Sequence, residues 1–213
     1  MSFRKATKRE QKLRLAITGP SGSGKTYTAL TLAKHLAASP NGIAVIDTER
    51  GSASKYAGDV ASFDVLELEH FSVQQYIAGI REAAEGAYAI LVIDSLSHAW
   101  AGKGGILEEA DARGGKFQAW KTLTPLQQSL VDAILSFPGH VIVTMRSKTE
   151  YAITIDDSKG TKQTRVEKLG MAPVQRDGME YEFDVILDMD LRNNATVTKS
   201  RCIDISGKVI PKP

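Results

Sequence analysis

Gly19-Pro20-Ser21-Gly22-Ser23-Gly24-Lys25-Thr26 reads G-x-x-x-x-G-K-[ST], the pattern of a loop that wraps phosphate. Ahead of it, the apolar run Leu13-Arg14-Leu15-Ala16-Ile17-Thr18 predicts a short buried strand. Behind it, Leu30, Leu32, Ala33 and Leu36 recur at helical spacing and predict a helix over 26–38. Strand, glycine loop and helix, in that order, are the context in which the motif has a mechanism. Glycines let backbone N–H groups converge on phosphate oxygens, and the helix N-terminus adds partial positive charge. Gly19, Pro20, Ser21, Gly22, Ser23, Gly24, Lys25, Thr26 and the following Tyr27 are therefore the expected cofactor-binding segment. Lys25 would reach the β- and γ-phosphates of a nucleoside triphosphate, and the Thr26 hydroxyl would take one Mg²⁺ position.

At 213 residues the chain is long enough for one α/β domain with a full core. The formal net charge of +2 gives no global argument for nucleic acid. Its distribution is uneven, because Arg4, Lys5, Lys8, Arg9, Lys12 and Arg14 face only Glu10 in the first fourteen residues. A solvated leader and a basic arm touching nucleic acid both remain open. The single cysteine, Cys202, excludes a disulfide framework and a thiolate metal site, and fits a reducing cytoplasmic setting. His35, His70, His98 and His140 are dispersed without metal-ligand spacing. No run approaches the ~18 apolar residues of a membrane span, so no membrane partner is expected.

Further along, Ile43–Asp47, Val65–Leu68, Ala89–Asp94 and His140–Met145 read as strands, alternating with helices over 72–85 and 106–137. The second helical stretch is expected to break at Gly114-Gly115 and near Pro125. Unbroken apolar strands alternating with helices imply a mostly parallel sheet covered on both faces. After Arg146 the pattern changes. Tyr151–Ile155 and Thr164–Glu167 alternate apolar and polar around a charged tip, as in an exposed hairpin or a loop that pairs only part of the time. Phe183–Met189 and Ala195–Lys199, joined by Arg192-Asn193-Asn194, predict antiparallel strands at the C-terminal end. The organisation is thus a basic arm over 1–12 and one core over 13–213, with a hairpin insertion at about 147–172.

Two acids complete the chemistry. Asp94 ends an apolar strand, where a carboxylate meets a Mg²⁺ held by Thr26. Glu49 lies two residues past Asp47, just beyond the second strand, where a carboxylate can polarise a water facing the γ-phosphate. Asp47 either orients Glu49 or closes the strand.

The stretch Asp47-Thr48-Glu49 followed by Tyr56-Ala57 resembles the strand-two signature of the RecA-like recombinase ATPases. The blocks GPSGSGKTYTAL, VIDTERGSA, LVIDSLSHAW and KLGMAPVQRDGMEYEFDVILDMD resemble the phage-encoded, single-domain members of that group, including the Sak-type single-strand annealing proteins, and the likeness covers nearly the whole chain. The resemblance implies a RecA-like P-loop fold, ATP and Mg²⁺ as cofactors, Glu49 and Lys25 as catalytic residues, and single-stranded DNA as partner. It places a first DNA loop at Trp100 to Gly105, with Trp100 and Lys103, and a second after the fifth strand, with Arg146, Lys148, Lys159, Lys162, Arg165 and Lys168. Lys199 and Arg201 match the basic pair that reaches a neighbour's γ-phosphate, and Phe3 and Ala6 match a Phe-x-x-Ala oligomer tether. A homo-oligomeric ring or filament, a single-strand-binding protein partner and a location in the host cytoplasm follow from the same resemblance. There are departures. No separate N-terminal or C-terminal domain accompanies the core, and where RecA has a γ-phosphate-sensing glutamine this chain offers only Thr144 or Arg146.

Two other classes stay open, a P-loop kinase acting on a small molecule and a nucleotide-switched adaptor. Against the kinase, the segment 147–170 carries Glu150, Asp156, Asp157 and Glu167 among its bases, unlike an arginine-rich lid. Phe117, Trp120 and Tyr151 join Trp100 as aromatics near predicted loops, with Trp120 expected in the core.

Overall fold

A computed structural model describes residues 5, 11–37, 42–156 and 163–213, and the side chains of all of these except 149–170. The phosphate-loop strand β1 (Arg14–Gly19), β2 (Ile43–Asp47) and β4 (Ile90–Asp94) are buried at every position. They form the middle of a nine-stranded sheet with β3 (Asp64–Glu67), β5 (His140–Asp156), β7 (Val185–Met189), β8 (Asn194–Ser200) and β9 (Val209–Pro211). The order is β3-β2-β4-β5-β1-β7-β8-β9, with β6 (Gln163–Pro173) paired to β5 alone. From β3 to β7 every pairing is parallel, and β8 and β9 close the far edge antiparallel. This is the expected α/β P-loop class, mostly parallel with antiparallel strands at the C-terminal end.

Alternation along the strands divides the core in two. Ala16, Leu91, Ile93 and Val143 face α2 (Val73–Glu85) and α5 (Phe117–Ser136), packing on Tyr76, Ile80, Leu123 and Leu130. Leu15, Ile17, Ile90 and Val92 face α1 (Lys25–Leu36), packing on Ala29, Leu30 and Ala33. Both faces are covered, as continuous apolar strands require. Because β5 lies between β1 and β4, the phosphate loop and Asp94 are one strand apart at the same end of the sheet.

The two helices α3 (Ser97–Ala101) and α4 (Ile106–Ala112) follow β4, and the break at Gly114-Gly115 is present, with both residues at positive φ. The expected break near Pro125 is not. Helix α5 runs through it, since Pro125 and Lys121, whose carbonyl would have taken the missing N–H, are both exposed to water.

Arg14 also departs from the sequence reading. It was counted in the basic leader, yet it is only 7% exposed, and its guanidinium donates to the carbonyls of Leu135, Phe137 and Gly139 beyond the last turn of α5. A cation there satisfies carbonyls the helix cannot use and complements its dipole.

The hairpin is an extension of the core rather than a separate strand pair. Arg146 is the last residue of β5 paired to β1, opposite Gly19, and Ser147 is the first paired to β6, opposite Pro173. Of the expected DNA and tether residues, Lys159, Lys162, Phe3 and Ala6 lie outside the described residues. The backbones of Arg165 and Lys168 belong to β6, but their side chains are outside the described set.

Candidate active site

The loop after β1 is shaped by two glycines. A Cβ on Gly19, at φ 154°, would stand 2.7 Å from the Met189 carbonyl of β7. Gly24 caps α1 in the left-handed region at φ 87°, where a side chain is strained, and no side chain closes the helix N-terminus. The first-turn N–H groups of a twelve-residue helix are thus left for an anion. Lys25 Nζ donates to the Pro20 carbonyl at 2.8 Å, across the mouth of the loop. Burial lowers the Lys25 pKa, opposed by the charges of Asp94 and Glu49 and reinforced by Arg146. Ser23 Oγ is buried with no hydrogen-bond partner. An orphaned hydroxyl inside a phosphate loop is what a site built for an absent polar ligand presents.

Thr26 Oγ1 donates to Asp94 Oδ2 at 2.6 Å, and Thr144 Oγ1 donates to the other carboxylate oxygen. Asp94 is 2% exposed, and burial raises its pKa against the lowering effect of the two hydroxyls. Among the described residues no group of three or more His, Cys, Asp or Glu could hold a metal alone. Thr26 and Asp94 fit a Mg²⁺ that draws its remaining ligands from phosphate oxygens and water. Such an ion would neutralise charge on the phosphates.

A cavity of about 530 Å³ opens over the loop, lined by Ser21, Gly22, Gly24, Lys25 and Thr26 on one side and by Glu49, Asp94, Arg146 and Ser147 on another. Its remaining wall is Ser52 with Tyr27 and Tyr56, whose rings meet edge to face at 6.0 Å. A polar end and an aromatic end suit a nucleotide's phosphates and base. The sequence named Tyr56 only within a resemblance, and Ser52 and Ser147 not at all. Ser52 and Tyr56 belong to the short turn of helix after β2, and Ser147 to the point where β5 changes partner, and no periodicity marks either place.

Glu49 is held by its backbone. Asp47, 1% exposed, accepts from the N–H of Glu49 at 2.6 Å and from that of Ala53 at 2.9 Å, so it fixes the turn in which Glu49 sits. The Glu49 carboxylate is gripped by Arg146, which donates from Nε to Oε1 at 2.9 Å and from its NH2 nitrogen to Oε2. The sequence offers Arg146 both as a DNA contact and in place of a γ-phosphate-sensing glutamine, and its place in the cleft suits the second. The register that ends the β1–β5 pairing at Gly19 opposite Arg146 sets its side chain over the cleft. On the other side, Thr48 Oγ1 accepts from the Ser95 N–H at 2.8 Å and lies 2.8 Å from His98 Nδ1. His98 Nε2 is 3.9 Å from Glu49 Oε1, and its ring stacks on Phe71. Periodicity gives no role to Thr48 or His98, because the link between them joins the turn after β2 to helix α3, fifty residues on. A second cavity of about 720 Å³ shares Glu49 and Arg146 with the first and adds Arg50, Glu67, Glu69, Phe71, His98 and Lys103.

The remaining expected residues are dispersed. Trp100 is half-buried, 5.9 Å from Trp120, and both pack on the core. Lys103 and Lys148 are exposed, and Phe117 is 90% exposed at the start of α5. Lys199 Nζ donates to the carbonyls of Glu180 and Tyr181, each at 2.9 Å, and lies over the Tyr181 ring. Arg201 pairs with Asp184 at 3.3 Å. Neither Lys199 nor Arg201 lines the phosphate-loop cavity of its own chain.

No helix among the described residues is long and apolar enough to cross a membrane. Comparison with curated proteins found no match. A family model described as an AAA domain matches residues 11–208. The chain belongs to that family, and its domain is a nucleotide-binding P-loop domain of the ATPase type.

Proposed function

We propose that this AAA-domain protein hydrolyses Mg²⁺-ATP at the phosphate loop, with Glu49 polarising the attacking water, and that it binds single-stranded DNA to promote annealing or recombination. The observation that carries the reading is the meeting of Lys25, the Thr26–Asp94 pair and Glu49 around one cavity. Lys25 and Mg²⁺ offset charge on the transferred phosphoryl group, and Glu49 takes the proton of the water. Arg146 occupies both oxygens of the Glu49 carboxylate, so hydrolysis requires Arg146 to withdraw and leave one for the water. Strand β5 runs from the sheet through Arg146 into the hairpin root at Lys148. DNA phosphates on Lys148, Lys159, Lys162, Arg165 and Lys168, with Lys103 nearby, would pull on the strand that carries Arg146.

The likeness to Sak-type phage proteins supports the DNA partner, a single-strand-binding protein beside it, and action in the host cytoplasm. Assembly into a homo-oligomer fits two features. The β3 edge of the sheet, unpaired among the described residues, has a small cavity of about 80 Å³ among Asp64, Val65, Leu66, Gly79, Glu82 and Tyr88, suited to the Phe3 and Ala6 side chains of another copy. Lys199 and Arg201 lie at the surface beyond β1, where they can turn from Tyr181 and Asp184 towards a neighbour's γ-phosphate.

The 720 Å³ cavity beyond Glu49 favours a second reading, a phosphotransferase whose acceptor sits there. Glu49→Gln tests the hydrolytic site itself. It is expected to keep ATP and Mg²⁺ affinity while single-turnover hydrolysis slows by ~10²-fold. Lost affinity with unchanged turnover of bound ATP would make Glu49 a ligand or a structural acid.

A further inference from the structure

We propose that His98 is the proton acceptor behind Glu49, and that its Nε2 takes the proton Glu49 removes from water. The inference rests on Glu49 acting on water. Its basis is geometric. His98 enters from α3, its ring clamped on Phe71 at 4.7 Å with 21° between the planes, and its Nδ1 is tied to Thr48 Oγ1 at 2.8 Å. That leaves Nε2 as the free ring nitrogen, and it faces Glu49 Oε1 at 3.9 Å.

The tautomer follows from the partners. Thr48 Oγ1 receives the Ser95 N–H and has the Ser95 carbonyl within reach of its own proton at 3.2 Å, and in that arrangement, which the proposal takes, it accepts from His98. Nδ1 then carries the hydrogen and Nε2 the lone pair. At 3.9 Å the Nε2–Oε1 separation exceeds a hydrogen bond, so Nε2 is not tied to the carboxylate while Arg146 holds it. The Arg146 guanidinium beside Glu49 also favours a bare nitrogen on that side.

The proton path balances. Water oxygen bonds to the γ-phosphorus as the bond to the ADP oxygen breaks, and that oxygen keeps the electron pair. The water's proton passes to Glu49, then to Nε2 once Arg146 releases the carboxylate and it closes the 3.9 Å gap, and leaves the imidazolium for solvent through the second cavity, which His98 lines. The charged groups that share this cavity with His98 are Asp47 at the end of β2, Glu49 and Arg50 beyond it, Glu67 at the end of β3, Glu69 beyond it, Lys103 after α3 and Arg146 on β5. Burial lowers the His98 pKa and Arg146 lowers it further, against Glu49. In the resting state the ring is therefore neutral at pH 7. When Arg146 withdraws, its lowering influence goes while that of Glu49 stays, so the ring becomes a stronger base as Glu49 is freed.

The test is the pH profile of single-turnover ATP hydrolysis. Below the ordinary imidazole range His98 becomes protonated and can accept nothing, so the wild-type rate should fall along an acid limb. His98→Asn retains an amide for Thr48 and has no atom at the Nε2 position. It should slow hydrolysis by ~10-fold or more at pH 7 and lose that limb, with ADP affinity and melting temperature unchanged. A wild-type rate and an unchanged limb would overturn the proposal. Should His98→Asn not fold, long-range ¹⁵N–¹H spectra of the wild-type protein decide the matter. An Nδ1–H tautomer is expected, and an Nε2–H tautomer overturns the proposal. Glu49→Gln in the same assay separates the two claims. Wild-type turnover there would overturn the Glu49 reading together with this one, while a slow Glu49→Gln beside a wild-type His98→Asn overturns this one alone.

Discussion

Asp94 shows how the site sets function against stability. Its two oxygens accept from Thr26 and Thr144, yet burial still holds its pKa above the usual carboxylate range. Between the unfolded and the raised folded pKa the native state binds more protons than the unfolded chain, so this group's contribution falls as pH rises through the folded value. At neutral pH the charged carboxylate is a cost that a bound cation would offset. Asp94→Asn should therefore raise the melting temperature of the ligand-free protein at pH 7–8, with the gain shrinking towards acid pH. It should also weaken Mg²⁺-dependent ATP binding by ~10-fold or more, because one of two protein ligands loses its charge. Lower ligand-free stability, or Mg²⁺ dependence left intact, would contradict this role. Lys25, Thr26 and Asp94 were legible in the sequence, since a motif and a strand end fix their positions. The Thr48–His98 link and the Arg146–Glu49 pair were not, because each joins groups fifty or more residues apart, one through the docking of α3 and the other through the β1–β5 register.

At the scale of elements, α5 and β5 were read as local patterns, and tertiary context altered both. Pro125 weakens a helix by one hydrogen bond, but on the wet side of α5 that is a tolerable loss against the burial of Leu123, Gln127, Leu130 and Ile134. The change in alternation after Arg146 was read as the start of a separate hairpin. It marks a change of partner, from β1 to β6, along one continuous strand. Arg14 was misplaced for a related reason, since a charge counted along the chain says nothing of three carbonyls waiting more than a hundred residues away. Arg14→Met keeps an apolar stem but leaves those carbonyls unpaired in a buried place. It should destabilise the fold by ~2–4 kcal/mol in urea titration, with nucleotide affinity of the folded fraction unchanged. A loss below about 0.5 kcal/mol would mean that water replaces the guanidinium there.

At the scale of the molecule, the parallel sheet brings the ends of β1, β2, β4 and β5 to one edge, which is where open α/β sheets bind ligands. The nucleotide cavity, Glu49 and the root of the hairpin lie along that end of the sheet, so under the proposed function a ligand on the hairpin and a nucleotide in the cavity would bias the same strand. The AAA-domain match covers this whole frame, residues 11–208. The most direct measurement of the account is the steady-state rate of ATP hydrolysis with and without single-stranded DNA, and with no other phosphate acceptor present. The account predicts a rise of ~10-fold or more, diminishing with salt as Lys and Arg contacts to phosphate are screened. A rate unmoved by single-stranded DNA at low salt would contradict it.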